Sequence, residues 1–399
     1  MRPLALLLPI LALTFLAPNA ARAQGWPDAL GPFTVGDDVA SLRLSGIAQL
    51  QLQTEAPGET ALRIRRLRPI LRPSLADGRV QGTVHLELVP GGMELIDLFV
   101  DASLVPGLRV RVGQFKVPYT EYWQQSLIHL ANVDWPLTSR WFGGERQLGV
   151  MAHGELDAFG YAVGAFAGEN RRGAYARELP RVYGESHGNP SSLTDPRPPE
   201  PLHLELVGRA VHSADGMDTS TVMDVSGGPL RHAVALSVAW DTDPTHRRDY
   251  ALRVAPELWL KAFGVSFVGV VHLGLFEDAA GAARPAGVGV LGELGWHAHR
   301  HVELSLRFAR VDLFDALRAD ASDWAAALEP SDLGAREAWE AQYGDVGSLR
   351  ATQELTFGVN VLIIGRSLSW MNDVAWMRTE RSDGARDALR LRSQLTLAF

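Results

Sequence analysis

From residue 389 to residue 399 the chain alternates. Leu389, Leu391, Leu395, Leu397 and Phe399 fall on one face, with Ser393 as the polar interruption, while Arg390, Arg392, Gln394 and Thr396 fall on the other. Period two is the pattern of a strand with one apolar and one polar face. In a soluble domain a terminus lies in water, so a strand running to an apolar aromatic residue suggests a sheet whose apolar face meets hydrocarbon. Amphipathic stretches of similar length recur at 41–53, 61–72, 79–89, 95–104, 107–116, 146–156, 159–168, 203–212, 231–241, 248–260, 263–276, 286–298, 300–312, 351–364, 366–378 and 388–399. No segment after residue 23 approaches 18 consecutive apolar residues, which argues against helical spans. Within lipid a sheet leaves no unpaired backbone only if it closes on itself. The expected fold is therefore all-β: a 16-stranded antiparallel transmembrane β-barrel with long external loops, over residues 39–399.

Two further features agree. Arg2, the apolar run from Leu4 to Leu16 and the small-x-small Ala21-Arg22-Ala23 read as an export leader over 1–23, followed by a periplasmic segment over 24–38. The run is too short to span a bilayer comfortably. The links also alternate in length, as such barrels require. Short ones stand at Ala76-Asp77-Gly78, Pro106, Asp157-Ala158, Lys261-Ala262, His299 and Gly365. Long ones stand at 117–145, 169–202 and 313–350, on the opposite parity. The link at 213–230 is too long for its parity, which makes it an irregular turn or marks a misplaced strand. Trp240, Trp259, Trp296, Trp370, Trp376 and Phe399 suit interfacial girdles; ordinary core packing is the other reading for each. An outer-membrane location follows from these expectations.

Composition narrows the partners. There is no cysteine, hence no disulfide and no thiolate metal site. Formal charge is −8, and −10 once Arg2 and Arg22 leave with the leader, so nucleic acid is not an expected partner. Lys116 and Lys261 are the only lysines. If Leu62, Ile64, Leu108, Val110, Val112, Leu389 and Leu391 face lipid, then Arg63, Arg65, Arg109, Arg111, Arg390 and Arg392 face inward, as do Arg253 and Arg307. A guanidinium stays charged and offers a planar donor fork to phosphate or carboxylate. These arginines are candidates for an anion-attracting wall. The competing reading pairs them with Glu87, Asp97, Asp101, Glu257 and Glu303 and leaves weak selectivity.

The run Leu62-Arg63-Ile64-Arg65-Arg66-Leu67-Arg68, followed by Leu75-Ala76-Asp77-Gly78, resembles an early strand and turn of the phosphate-selective porin O and P family. Leu95-Ile96-Asp97-Leu98-Phe99-Val100-Asp101 is similar to its next strand motif. Gly107-Leu108-Arg109-Val110-Arg111-Val112-Gly113-Gln114-Phe115-Lys116-Val117-Pro118-Tyr119 and Gly144-Glu145-Arg146-Gln147-Leu148-Gly149-Val150 are similar to the two that follow. Order and spacing match over about a quarter of the chain. The resemblance implies a trimeric 16-stranded porin whose third external loop, here 117–145, folds inward. It adds Lys116 to the candidates as the matched basic position. Phosphate-selective members carry lysines on that loop; this chain has none there, only Arg140, with His129 as a titratable neighbour. The 313–350 loop is acidic, with Asp315, Asp320, Asp323, Glu329, Asp332, Glu337, Glu340 and Asp345.

No nucleophile elbow, zinc-protease motif or phosphate-binding loop is present in the sequence. His297, His299 and His301 share a face only if no turn separates them, and a solvated turn is the plainer reading. No enzyme, cofactor or metal is expected. The expected function is a passive outer-membrane channel for small anionic solutes such as phosphate, a homotrimer in contact with outer-membrane lipid and lipopolysaccharide. A general or weakly cation-selective pore is the alternative within transport; a plugged barrel acting as surface enzyme or adhesin is the alternative outside it.

Overall fold

The computed structural model describes residues 31–56, 58, 60–89, 92–143, 146–167, 204–242, 252–277, 283–313 and 349–399. The expected leader at 1–23, the 169–202 link and the 313–350 loop apart from its ends lie outside the described residues. The strands in chain order are β1 (Phe33–Gly36), β2 (Ala40–Ala56), β3 (Thr60–Leu75), β4 (Val80–Val89), β5 (Gly92–Val105), β6 (Leu108–Lys116), β7 (Arg146–Leu156), β8 (Phe159–Phe166) and β9 (Glu205–Ala214). They continue as β10 (Arg231–Asp241), β11 (Leu252–Ala262), β12 (Val265–Glu277), β13 (Ala283–His299), β14 (Val302–Leu313), β15 (Leu349–Ile364), β16 (Leu368–Arg381) and β17 (Gly384–Ala398).

From β2 onward each strand pairs antiparallel with the next, and β17 returns to β2 through Leu389↔Ala56 to Ala398↔Ile47. That closure makes β2–β17 a 16-stranded barrel and removes the open edges a membrane would not tolerate. The pairing of β17 and Phe399 covers β2 only down to Gly46. Below it, β1 pairs Phe33↔Leu44 to Gly36↔Ser41. The segment 24–38, read as a periplasmic lead-in, thus contributes a short strand that covers the remaining edge.

The barrel is inside-out relative to a soluble protein. Leu62, Ile64, Leu148, Val150, Leu306 and Phe308 are exposed on its exterior, while Arg307, Glu293, Glu303 and Arg392 are buried within. An apolar exterior of this extent belongs in hydrocarbon. Its upper margin is sharp. Across β14–β17 the outward row Phe308–Leu355–Trp376–Leu389 is apolar, and the next row, Arg310–Gln353–Arg378–Asp387, is polar. From Leu397 to Leu389 the strand rises about 26 Å, which matches an apolar band of about 25 Å once tilt and side-chain reach are included. The chain is an outer-membrane barrel on this ground. Placing a charge mid-band, as in Leu306→Arg, is expected to destabilise the barrel by about 2–4 kcal/mol. Urea titration from liposomes measures it, and a wild-type midpoint would mean that this face does not meet lipid.

Trp240, Trp296 and Phe399 are half-exposed on the exterior, as expected of girdle residues. Trp259 is not among them: it is fully buried and points inward, its ring 6.1 Å from that of Tyr122. The turn expected at Lys261-Ala262 also shifts. Both residues remain in β11, and the turn is Phe263-Gly264, at φ 53° and 85°. Two successive positive φ values are what a two-residue hairpin turn needs, and a phenylalanine at the first of them hides the signal. The long link at 215–230 is an irregular turn, since β9 and β10 pair without a break from Ala214↔His232 to Glu205↔Asp241.

Candidate functional site

Residues 117–143 fold into the barrel as one continuous insert. It contains α1 (Glu121–Gln124), a short 3-10 turn (Leu127–His129) and α2 (Leu137–Phe142), and nearly every residue from Val117 to Trp135 is buried or half-buried. A loop can lie inside only if its backbone groups find partners, and here the barrel wall supplies them. The buried carboxylate of Glu257 on β11 accepts from the backbone N–H groups of Glu121 and Tyr122, at 2.5 and 2.9 Å. Glu293 on β13 accepts from the Tyr122 hydroxyl and from Asn132 Nδ2, both at 2.5 Å. Asp373 on β16 accepts from Val133 N, and Glu354 on β15 from Leu137 N, each at 3.0 Å. Thr120 sits at φ 63°, a strained value for a β-branched residue. Its N–H donates to Ser237 Oγ and its own hydroxyl caps α1 by accepting from Trp123 N, each at 3.1 Å.

The insert divides the lumen. Against β10–β17 it is packed: Arg253, Arg307 and Arg392 keep only 4%, 0% and 2% of their side-chain surface. Toward β3–β7 it leaves more of the wall accessible: Arg65, Arg109, Arg111 and Arg146 keep 20%, 28%, 27% and 24%, although Arg66 keeps only 5% beside Asp134. The solvent-accessible part of the lumen wall therefore lies along β3–β7. Gly113 helps shape that wall. It sits at φ 133°, and a Cβ there would lie 2.2 Å from the Leu98 carbonyl oxygen, so only glycine fits.

A row of guanidiniums lines this half. On β3 the order from the long-loop end is Arg63, Arg65, Arg66, Arg68 and Arg72. Strict alternation would place Arg65 and Arg66 on opposite faces. Instead the register slips between Gln49 and Leu50, whose partners are Arg66 and Ile64, so Arg65 has no partner residue on β2. This bulge keeps both arginines on the lumen side. Both reach Asp134 on the insert, at 3.3 and 3.2 Å. Lower on β3, Arg68 pairs with Glu87, and Arg72 donates to Ser45 Oγ at 2.6 Å. Arg146 on β7 pairs with Asp97 at 2.7 Å, and Asp97 also accepts from His85 Nδ1 at 2.7 Å. Asp101 is shared by Arg109, Arg111 and His153, at 2.6, 2.6 and 2.9 Å. Along this wall stand the seven guanidiniums of Arg65, Arg66, Arg68, Arg72, Arg109, Arg111 and Arg146 and the four carboxylates of Glu87, Asp97, Asp101 and Asp134, which pair with all of these arginines but Arg72. Within this set, three positive charges are uncompensated. Arg63 adds hydrogen bonds to Gln51 and Gln53 at 2.8 and 3.1 Å.

The ten residues singled out in the sequence separate accordingly. Arg63, Arg65, Arg109 and Arg111 lie on the wetted half. Arg253 holds Glu205 and the Phe142 carbonyl, Arg307 holds Glu354 and the Asp134 carbonyl, and Arg392 grips Asp373 with two bonds of 2.8 and 2.7 Å. Arg390 approaches Glu354 at 3.7 Å. These four lie on or beside the packed half. Arg140 is on α2, and its side chain lies outside the described part. Lys116 is half-buried beside the insert, its ammonium donating to the carbonyls of Trp123 and Gln125 at 3.0 and 2.9 Å, with the Trp123 and Trp135 rings 5.1 and 4.7 Å away. Lys116→Met is expected to leave ion preference near wild type while raising current noise, because the insert loses an anchor; a large loss of anion preference would place the amine in the solute path. His129 donates from Nδ1 to the Ser220 carbonyl, and burial lowers its pKa, so it adds no cation at neutral pH. Alternation alone does not single out Arg66, Arg68, Arg72 and Arg146. The Arg65-Arg66 doublet, which breaks the alternation, was the available signal.

Among solved structures, the outer membrane channel DcaP of Acinetobacter baumannii aligns with a TM-score of 0.57 at 10% identity, over 93% of this chain and all of that one. OprB of Pseudomonas putida gives 0.56 at 11% identity, over 91% and 95%. The anion-selective porin from Comamonas acidovorans gives 0.56 at 13% identity, over 90% and 100%. No protein-family model and no curated protein matches the chain. At these identities the likeness is one of fold, and the fold is that of the outer-membrane porins.

Proposed function

We propose that this outer-membrane porin fold serves as a passive, water-filled pore for small solutes and prefers anions, with phosphate as a candidate. The carrying observation is the set of seven arginines against four carboxylates along the more accessible β3–β7 wall, of which only Arg66, beside Asp134, is buried. Fixed positive charge at a narrow point raises the local anion concentration and repels cations. The resemblance of 62–150 to phosphate-selective porins supports the same sign and also supports a homotrimer. The outward Arg310–Gln353–Arg378–Asp387 row lies at head-group height and supports contact with phosphorylated outer-leaflet lipid.

The test is reconstitution into a planar bilayer, with stepwise conductance in KCl and titration with inorganic phosphate. Conductance that falls on adding phosphate supports a wall site for that anion. Conductance indifferent to phosphate restricts the proposal to a general anion pore, and no conductance at all favours a plugged barrel. A general or weakly cation-selective pore remains the second reading because of the acidic residues in 313–350.

A further inference from the structure

We infer that the periplasmic turn at 215–230 is a second constriction element: it props the inward insert from below and confines the solute path to the arginine-bearing half down to the periplasmic mouth. The inference rests on the pore reading. Turns at this end are short in barrels of this kind, and a two-residue turn would suffice to join Ala214 to His232. This chain instead orders sixteen residues and turns them into the lumen.

The turn is built to hold that position. Asp224, fully buried, gathers it by accepting from Gly227 N at 3.2 Å, Gly264 N at 2.8 Å and Arg231 at 2.5 Å. Lys261 at the end of β11 donates to the carbonyls of Asp218 and Thr221, at 2.6 and 2.7 Å. Val222 and Met223 are completely buried. The wall makes room for Met223 at Gly295, where a Cβ would lie 2.6 Å from the Met223 sulfur.

The upper side of the turn meets the insert. Thr219 Oγ1 donates to Glu121 at 2.7 Å, Gln125 donates to the Thr219 carbonyl, and His129 donates to the Ser220 carbonyl at 2.9 Å. Insert and turn thus form one stack against β9–β13, reaching from the constriction to the periplasmic end. A narrow path kept long by this stack has more resistance and keeps each ion longer beside Arg68, Arg72 and Arg109 than a thin eyelet would.

The test replaces residues 215–231 with Asn-Gly, joining the paired residues Ala214 and His232 by a hairpin turn. Single-channel conductance is expected to rise by about half or more, because the resistance of a narrow aqueous path falls with its length. The zero-current potential should fall toward neutrality. In parallel, Ser220→Cys in the full chain, which has no other cysteine, is treated with a charged thiol reagent. A drop in conductance is expected if the turn borders the path. Wild-type conductance and potential in the folded excision variant, or an inert response of the labelled Ser220→Cys pore, would overturn the inference; if the excised chain does not fold, the labelling result decides. A wild-type protein that carries no current would instead defeat the pore reading itself.

Discussion

Replacing Asp101 with Asn will make the pore more anion-preferring, and replacing Arg109 and Arg111 together with Ala will make it less so. The two substitutions act on one cluster with opposite sign. Asp101 is 3% exposed and takes bonds from both guanidiniums and from His153. Neutralising it frees a full positive charge beside the path. Removing the two arginines withdraws two charges and leaves the carboxylate with His153 alone. A unit charge about 4 Å from a passing ion in water is worth about 1 kcal/mol, or roughly fivefold in the permeability ratio. Zero-current potentials of the two variants in the same KCl gradient measure the effect. The opposed shifts are diagnostic, because a general loosening of the barrel would move both variants toward neutrality.

Replacing Arg307 with Ala will release the inward insert. Arg307 is fully buried, lies 3.2 Å from Glu354 and donates to the Asp134 carbonyl at 2.8 Å. It therefore ties β14 and β15 to the residue through which the insert reaches Arg65 and Arg66. Removing one partner of a buried pair leaves the other uncompensated, at about 3–5 kcal/mol. Lysine will restore little of this, because an ammonium cannot reproduce the planar fork. The expected outcome is a lowered urea midpoint together with a noisier, larger single-channel current. A lowered midpoint with an unchanged current would mean that Arg307 stabilises the wall without holding the loop.

Much of the barrel was legible because one rule, period two, governs strands that face lipid on one side and water on the other. It located sixteen strands, and the parity of the links set their direction. The rule fails where a side chain is placed by something other than alternation. Trp259 has the girdle residue type yet fills the lumen beside Tyr122, since the inward insert offers it an apolar neighbour. The Arg65-Arg66 doublet defeats alternation through a bulge, so Arg66, Arg68 and Arg72 were assigned to no face. The inward direction of Arg109 and Arg111 was readable from their own strand. That Arg253, Arg307 and Arg392 would be sealed was not, because the sealing group is a loop distant in sequence. For the same reason the turn at 215–230 registered only as too long: its partners, Glu121, Gln125 and His129, come from another part of the chain.

Net positive charge along the β3–β7 wall would set the sign of the zero-current potential across a KCl gradient, and that potential is the measurement to make first. The expected potential for the wild-type pore has the anion-selective sign and is larger in dilute salt, where screening is weak. A potential of cation-selective sign at low salt would contradict a net positive wall.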